Sequence, residues 1–243
     1  MDLKICPGDR ILVVAPHPDD ESIGCGGLLA LYGKQCDVLL LTDGRRGHMG
    51  RYDGREEELV KLREEELRRA AGLAGVRKLT MLRIPDSELF GHDAEVGRYD
   101  IREYDYIFVT NHMESHEDHR VCFRMLRRMK RIQHAHAALM EYEVWTPMVR
   151  PSHYLDITDV IGQKRDMIEQ HRSQMMDIDY AGKGIALSCY RGINIKAPYA
   201  EAYTAVERKS LKKAVSARIP KVWKRRIKKA FTGRSPGKTE NRV

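Results

Sequence analysis

Two short segments of the sequence concentrate histidine and carboxylate side chains. The first is His17-Pro18-Asp19-Asp20-Glu21, and the second is His116-Glu117-Asp118-His119. Imidazole and carboxylate groups are ligands that zinc and its first-row neighbours take from proteins. A catalytic zinc site uses three protein ligands and leaves one position open for water. His17, Asp20 and His119 can supply those three ligands, and Asp19 is then free to act as a base beside the water.

Ordinary structural roles are the alternative for both segments. Asp19 and Asp20 could cap a following helix, and a single histidine near the end of a strand is usually a satisfied polar residue. Two such segments at equivalent places in a fold are harder to explain in this way. We therefore interpret them together as a metal site.

Apolar runs and amphipathic stretches alternate along the chain and would position these segments. Residues 11–15 form a continuous apolar run that ends directly before Pro16, which is typical of a buried parallel strand. Similar patterns predict strands over 37–42, 79–84, 106–110, 137–145 and 153–157, and helices over 26–32, 56–74, 118–132 and 158–170. This order predicts an α/β fold, a doubly wound, mostly parallel, Rossmann-like sheet with helices on both faces. Ligands of such sheets bind beyond the carboxyl ends of the strands, where both segments lie.

Composition narrows the class of protein. The 243 residues suffice for one sizeable α/β domain, and they contain no apolar run of the roughly 18 residues that a membrane span needs. The first ten residues lack the apolar stretch of a signal peptide. Five cysteines are scattered without a CxxC pair, which favours a reduced, cytoplasmic protein.

Gly24-Cys25-Gly26-Gly27 does not extend into a dinucleotide-binding motif, because Leu29 stands where that motif needs glycine.

Charge divides the sequence into two parts. Residues 208–243 contain 14 Lys or Arg residues and one acid, whereas the preceding 207 residues contain 29 basic and 34 acidic residues. We therefore predict a catalytic domain over 1–207 and a basic tail over 208–243. Apolar residues recur every three or four positions over 211–231 among the basic ones. This pattern predicts a basic amphipathic helical segment that Pro220 kinks or divides.

The ordered set of motifs resembles the PIG-L/LmbE family of N-acetylglucosaminide deacetylases over most of residues 10–205. Ala15-Pro16-His17-Pro18-Asp19-Asp20-Glu21 is close to the family's A-H-P-D-D-E with one additional proline, and the second segment matches its H-x-D-H. Shorter matches are Thr42-Asp43-Gly44, Arg63 with Glu66, Ala70 and Ala71, Asp86-Ser87, Tyr142-Glu143-Val144-Trp145, Asp156-Ile157-Thr158, Lys164, Ser173-Gln174 and Tyr199-Ala200-Glu201-Ala202.

The resemblance implies a role for each residue of the two segments. His17, Asp20 and His119 would bind the metal, with Zn²⁺ expected and Fe²⁺ or Mn²⁺ as alternatives for such a ligand set. Asp19 would be the general base. His116 would stabilise the oxyanion and protonate the leaving amine, while Asp118 would orient His116 and raise the pKa of its imidazole. Arg63 and Asp86 match family positions that contact the sugar.

Two departures from the family pattern affect the substrate side of the site. Some members carry a tyrosine two residues before the first histidine of H-x-D-H, where it polarises the carbonyl, and this chain has Glu114 there. Another group, or the metal together with His116, would then polarise the carbonyl. The loop after Thr42-Asp43-Gly44 has Arg45 and Arg46 where many members carry an acid. These arginines indicate an anionic group on the substrate, such as a phosphate or carboxylate, and a solvated loop is the alternative.

The residues and the resemblance together predict a zinc-dependent hydrolase that removes the N-acetyl group from an N-acetylhexosamine conjugate. The conjugate would be lipid- or nucleotide-linked and belong to glycan biosynthesis. An amidase for another N-acyl group or a non-sugar amide is the alternative within enzymes. The alternative to an enzyme is a module that binds acidic surfaces or nucleic acid through the tail.

The charges of the two parts of the chain lead to different predictions about binding partners. The net acidic region 1–207 argues against a nucleic-acid partner. The segment 211–231 instead predicts a peripheral contact of a cytoplasmic protein with anionic lipid at the inner face of the membrane. Docking of this segment on the protein body is the alternative.

Overall fold

The computed structural model describes residues 1–47, 50–176 and 178–206. Strands and helices alternate along them in the order β1 Ile11–Ala15, α1 Asp20–Tyr32, β2 Cys36–Thr42, α2 Glu56–Ala74, β3 Lys78–Ile84, α3 Asp93–Val96, β4 Tyr106–Thr110, α4 Glu117–Ile132, β5 Ala138–Tyr142, β6 His153–Asp156, α5 Ile161–Ile168, α6 Tyr180–Gly192 and β7 Ala200–Ala205. The predicted tail over 208–243, with its amphipathic segment 211–231, lies outside the described residues.

The strands form one sheet in the order β3-β2-β1-β4-β5-β7-β6. Pairing is parallel from β3 through β5, whereas β7 is antiparallel to both of its neighbours. From β1, the chain builds outward through β2 and β3 on one side and through β4 and β5 on the other. A crevice opens at such a reversal, beyond the carboxyl ends of the two central strands. The predicted doubly wound, mostly parallel α/β fold is confirmed.

Apolar side chains of the central strands cover both faces of the sheet. Along β1, Ile11 and Val13 pack with α1 and α5, whereas Leu12 and Val14 pack with α4. All four side chains are fully buried, as expected of a continuous apolar run in a parallel sheet covered on two sides. Among the described helices, none has the length and apolar character needed to cross a bilayer.

The structure differs from the predicted elements at α1, α6 and β7. Helix α1 begins at Asp20 rather than at Gly26, and Cys25 interrupts its helical backbone geometry. The pattern did not predict α6, which contains three glycines and therefore has low helix propensity. It also did not predict β7, whose sequence of alanines, glutamate, tyrosine and threonine has a weak preference for strands.

Helix α1 packs against the sheet at Gly24 with no room for a side chain. A Cβ atom on Gly24 would lie 2.2 Å from Cδ2 of Tyr142, so a side chain there would exclude the tyrosine ring. After the interruption at Cys25, the N–H groups of Gly27 and Leu28 donate to the Glu201 carboxylate of β7 at 2.7 and 2.9 Å. The same carboxylate accepts from the buried Lys164 ammonium at 2.7 Å. These contacts fix the helix whose first residue is Asp20.

Candidate active site

The two predicted segments meet at the carboxyl ends of β1 and β4. The Nδ1 atom of His17 lies 3.2 Å from Nε2 of His119 and 3.3 Å from Oδ2 of Asp20. The distance from Nε2 of His119 to Oδ2 of Asp20 is 3.2 Å. One nitrogen or oxygen atom from each residue therefore forms a nearly equilateral triangle, and all three side chains are buried.

This triangle has the dimensions of a tetrahedral metal site. With zinc–ligand bonds of about 2.0–2.1 Å, the ligand atoms of a tetrahedron lie about 3.3 Å apart. The second oxygen of Asp20, Oδ1, is buried and accepts no hydrogen bond from the described residues. Two imidazoles and one carboxylate with an open fourth direction fit a catalytic zinc ion, so the residues present suit the metal that the sequence predicts.

Carboxylates surround the two histidines of the triangle. Nε2 of His17 lies 3.2 Å from Asp86 and 3.3 Å from Asp118. Burial alone would lower the pKa of His17, but the neighbouring carboxylates hold that pKa well above its ordinary value. Burial would also lower the pKa of His119, but the effects of Asp20 and Glu114 are larger and raise that pKa to about 9. The site concentrates negative charge that a bound cation would balance.

Asp19 lies beside the triangle in a strained conformation. Its φ angle is +130°, a region that side-chain-bearing residues seldom adopt and that is commonest at functional sites. Its N–H donates to Oε2 of Glu21 at 3.1 Å, and its carboxylate lies 3.3 Å from the Arg63 guanidinium. Burial raises the pKa of Asp19 to about 6, although Arg63 opposes the shift. A carboxylate with this environment can accept a proton near neutral pH.

The predicted pairing of His116 with the Asp118 carboxylate is not found in the structure. The Asp118 carboxylate does not orient His116: its Oδ2 contacts His17 and accepts the Ser87 N–H at 2.9 Å. Instead, Nδ1 of His116 accepts the backbone N–H of Asp118 at 3.2 Å. Because Nδ1 is an acceptor, the neutral imidazole carries its proton on Nε2. The pKa of His116 is lowered, not raised, through burial and the positive charge of His17 and His119, which outweigh the effect of Asp118.

The predicted substrate residues divide into two groups. Arg63 lines the cleft, but its guanidinium is buried and donates to Pro18 O and Gly44 O, both at 2.7 Å, besides forming an ion pair with Asp19. Arg45 pairs with Asp43 at 2.7 Å and with Glu57 at 3.3 Å, and it does not line the cleft. Asp86 and Arg46 also line the cleft. The backbone N–H of Arg46 donates to the Asp86 carboxylate at 3.2 Å, so these two residues form one wall.

The cleft above the triangle has a volume of about 430 Å³, within the size range of small-molecule sites. Its lining consists of His17, Asp19, Asp20, Arg46, Gly47, Arg63, Asp86, Ser87, His116, Trp145, Gln174 and Tyr180. The sequence analysis placed Trp145 in a family-like motif without giving it a role, and it did not single out Tyr180. Trp145 follows β5 at the same edge of the sheet, so the rule that ligands bind at strand ends could have identified it. Tyr180 begins α6, which the sequence did not predict.

Glu114 is a further residue whose role the sequence did not reveal. Its side chain is buried, and its Oε2 atom lies 3.6 Å from Nδ1 of His119, on the side of the imidazole that faces away from the triangle. Its Oε1 atom accepts the backbone N–H groups of Val144 and Thr146 at 3.0 and 3.2 Å. The carboxylate therefore links a predicted metal ligand to the loop after β5.

Comparisons with known proteins agree with the predicted family and fold. A profile of the PIG-L family, described as GlcNAc-PI de-N-acetylase, matches residues 12–130. Diacetylchitobiose deacetylase of Thermococcus kodakarensis is 32% identical over 193 residues, which cover 68% of this chain and 70% of that protein. A probable N-acetyl-alpha-D-glucosaminyl L-malate deacetylase 2 of Bacillus subtilis is 37% identical over 92 residues, covering 36% of this chain and 42% of the relative.

A solved structure shares the fold over most of the chain. The N,N'-diacetylchitobiose deacetylase of Pyrococcus horikoshii superposes with a TM-score of 0.73 at 22% identity, covering 85% of this chain and 88% of that one. This chain therefore shares its α/β fold with a deacetylase of N-acetyl sugars. The chain belongs to the PIG-L family and is a deacetylase of the N-acetylglucosaminide type.

Proposed function

We propose that the protein is a zinc-dependent enzyme that removes the acetyl group from the acetamido nitrogen of a GlcNAc-type conjugate. His17, Asp20 and His119 are the proposed zinc ligands. The observation that carries this proposal is the triangle of their Nδ1, Oδ2 and Nε2 atoms, with sides of 3.2–3.3 Å, at the floor of a cleft that also contains Asp19 and His116.

Amide hydrolysis requires an activated water and stabilisation of charge on the carbonyl oxygen. Zinc in such a site supplies a Lewis acid and lowers the pKa of water to about 7. Asp19 then takes the proton that the attacking water loses. Arg63 keeps the Asp19 carboxylate in place through its 3.3 Å contact, and the donation of the Asp19 N–H to Glu21 holds the backbone.

His116 is the proposed donor to the reacting amide. Its Nδ1 accepts a backbone N–H, so Nε2 carries the proton that can be donated to the acetyl oxygen or the departing nitrogen. Loss of one such donor typically costs about 2.7–4 kcal/mol of transition-state stabilisation. Asp118 acts on His17 rather than on His116: its carboxylate, 3.3 Å from Nε2, orients the ring whose Nδ1 would bind the metal.

The proposed substrate is based on the polar residues that line the cleft and on the substrates named for the relatives. Asp86 and Ser87 offer groups that hydrogen-bond sugar hydroxyls, and Arg46 offers a guanidinium for a phosphate or carboxylate on the conjugate. The relatives named above act on diacetylchitobiose and on a GlcNAc–malate conjugate by their names. A lipid- or nucleotide-linked N-acetylhexosamine would place its phosphate at Arg46.

The proposal is tested by measuring bound zinc and acetate release side by side. Alanine at His17, Asp20 or His119 should abolish stoichiometric zinc binding, because each change removes one of three ligands. Asp19→Asn should keep zinc and lose most turnover, because it removes the base and not a ligand. Glu117→Gln, which alters an exposed neighbour of His116, is the matched control and should change neither property. Near-normal kcat in zinc-loaded Asp19→Asn protein would contradict the base assignment.

A further inference from the structure

His171 is a buried histidine that takes no part in the mechanism proposed above. It follows helix α5 and leaves only 1% of its surface exposed. Its Nε2 atom lies 3.3 Å from Oε1 of Glu21 and 3.3 Å from Oγ of Ser22. Its Nδ1 atom is buried and makes no hydrogen bond to any described residue. Burying an incompletely paired imidazole costs free energy that an apolar side chain would not cost, so its role extends beyond filling the core.

The Glu21 carboxylate connects His171 to the proposed base. Its Oε2 atom accepts the backbone N–H of Asp19 at 3.1 Å. Its Oε1 atom accepts the Ser22 hydroxyl at 2.6 Å and faces the His171 imidazole. Asp19 has a φ angle of +130°, a conformation that persists only where the surrounding contacts enforce it. The chain of contacts therefore runs from His171 through Glu21 to the strained backbone of the base.

Charge strengthens the contact between His171 and Glu21. Burial alone would lower the pKa of His171, but the carboxylates of Glu21 and Asp19 outweigh burial and hold that pKa above its ordinary value. A hydrogen bond between two charged partners is shorter and about twice as strong as one between neutral groups. The imidazole is therefore suited to hold Glu21 in one orientation.

The turn that carries His171 is anchored to the helix that also holds the base. Ser173 donates its N–H and its hydroxyl to the Glu66 carboxylate of α2 at 2.9 and 2.7 Å. Arg63, three residues before Glu66 on the same helix, lies 3.3 Å from the Asp19 carboxylate. Helix α2 thus contacts the side chain of Asp19 directly and fixes the turn from which His171 reaches the carboxylate bound to the Asp19 backbone.

We propose that His171 is a positioning residue for Asp19: its imidazole orients Glu21, which in turn holds the base beside the ligand triangle. The proposal rests on the proposed function, because it gives His171 a task in the same reaction. His171 is absent from the lining of the cleft, so it acts on turnover through Asp19 and not on the substrate. Its loss lowers kcat and leaves KM and zinc binding in place.

The test compares side chains that place a donor at different distances from the backbone. Zinc-loaded wild type, His171→Leu, His171→Gln and His171→Asn are assayed for acetate release from diacetylchitobiose, the disaccharide named for the Thermococcus relative. His171→Leu should lower kcat roughly 10- to 100-fold, with KM and bound zinc nearly unchanged. The glutamine amide nitrogen reaches the place of Nε2 and can donate to Glu21, so His171→Gln should retain most of the activity. Asparagine is too short, so His171→Asn should behave like His171→Leu.

A second background separates positioning of the base from a general loss of structure. In Asp19→Asn protein the base is already absent, so adding His171→Leu should not lower the residual kcat further. Ile168→Val is the packing control: it removes one methylene group from a buried side chain three residues before His171 and should keep the kcat of wild type.

The outcomes separate the positioning role from the proposed function. Near-normal kcat or loss of zinc in folded His171→Leu, or equal losses of kcat with and without Asp19→Asn, would overturn the positioning role. If His171→Leu does not fold, equal kcat values for His171→Gln and His171→Asn would overturn it. Absence of acetate release from wild type would contradict the proposed function instead. Exchange of the Asp19 amide hydrogen, followed by NMR, then decides, because positioning requires faster exchange in His171→Asn than in wild type.

Discussion

At the scale of single residues, Glu114 is a buried carboxylate next to His119, one of the proposed zinc ligands. Its 3.6 Å separation from Nδ1 of His119 is longer than a hydrogen bond, yet with both side chains fully buried the charge still acts strongly on the imidazole. We predict that Glu114→Gln lowers zinc affinity by about 10- to 100-fold, the usual effect of losing an orienting carboxylate. Competition against a chromogenic zinc chelator measures the change.

A second buried glutamate provides the control for this prediction. Glu141 also accepts a backbone N–H, from His112 at 2.8 Å, but it contacts none of the proposed ligands. Glu141→Gln should leave zinc affinity unchanged. If both substitutions weaken zinc binding equally, loss of a buried charge in general, rather than orientation of His119, explains the result.

The positions of the site residues were predictable from the sequence, but their contacts were not. His17, Asp20 and His119 follow strands that end at one edge, and parallel pairing alone brings them together. The partner of Asp118 depends on which way its side chain turns at the start of α4, and sequence spacing does not determine that. Arg45 and Arg46 are adjacent and chemically alike, yet only one of them faces the cleft, because Asp43 and Glu57 hold the other.

At the scale of elements, a buried ion pair supports the helix that begins with Asp20. Lys164 of α5 and Glu201 of β7 are both nearly inaccessible to solvent. Glu201 also receives the N–H groups that the interruption at Cys25 releases. Removing one partner of such a pair leaves an uncompensated buried charge.

We predict that Glu201→Gln destabilises the protein by about 3–5 kcal/mol, measured as the shift of the urea unfolding midpoint. Adding Lys164→Met should recover part of this loss, because the unpaired ammonium is removed. Glu103→Gln breaks an ion pair with Arg10 whose side chains are well exposed, and it should cost less than about 1 kcal/mol. A Glu201→Gln protein as stable as wild type would show that the pair contributes no net stability.

The elements around the site were predictable, whereas those at the C-terminal end were not. Strands β1, β2 and β4 are apolar runs between polar loops, so the hydrophobic pattern alone predicts them. Strand β7 is buried by tertiary contacts, although its alanines and Glu201 do not form a pattern typical of a strand. Helix α6 forms despite its glycines. In both cases packing against the rest of the fold overrides weak local propensity.

At the scale of the whole molecule, the two parts of the chain carry opposite charge. Residues 208–243 have 14 basic residues and one acid, and the preceding residues have an acidic excess. Each Lys or Arg near an anionic membrane contributes about 1 kcal/mol of attraction, and salt screens this attraction. The charge of residues 208–243 therefore favours anionic lipid as a partner.

We predict that the protein sediments with vesicles containing phosphatidylserine at low ionic strength and is released at high salt. Deleting residues 208–243 should abolish sedimentation and preserve acetate release from a soluble sugar. Replacing Trp223 and Phe231 with alanine should weaken binding, because aromatic rings bury at the membrane interface. Vesicles of phosphatidylcholine alone serve as the control. Wild-type protein that ignores phosphatidylserine at low salt would rule out the membrane contact.

The contact between Glu201 and helix α1 also bears on the order of events during synthesis. The carboxylate that receives the Gly27 and Leu28 N–H groups lies 174 and 173 residues further along the chain. At about 5–20 residues per second, a ribosome needs roughly 10–35 s to add that stretch. Until then the nascent α1 lacks its buried partner, so we expect the loop carrying His17 and Asp20 to acquire its final shape only after β7 has been made. We therefore expect the proposed zinc site to form only in chains that extend through β7.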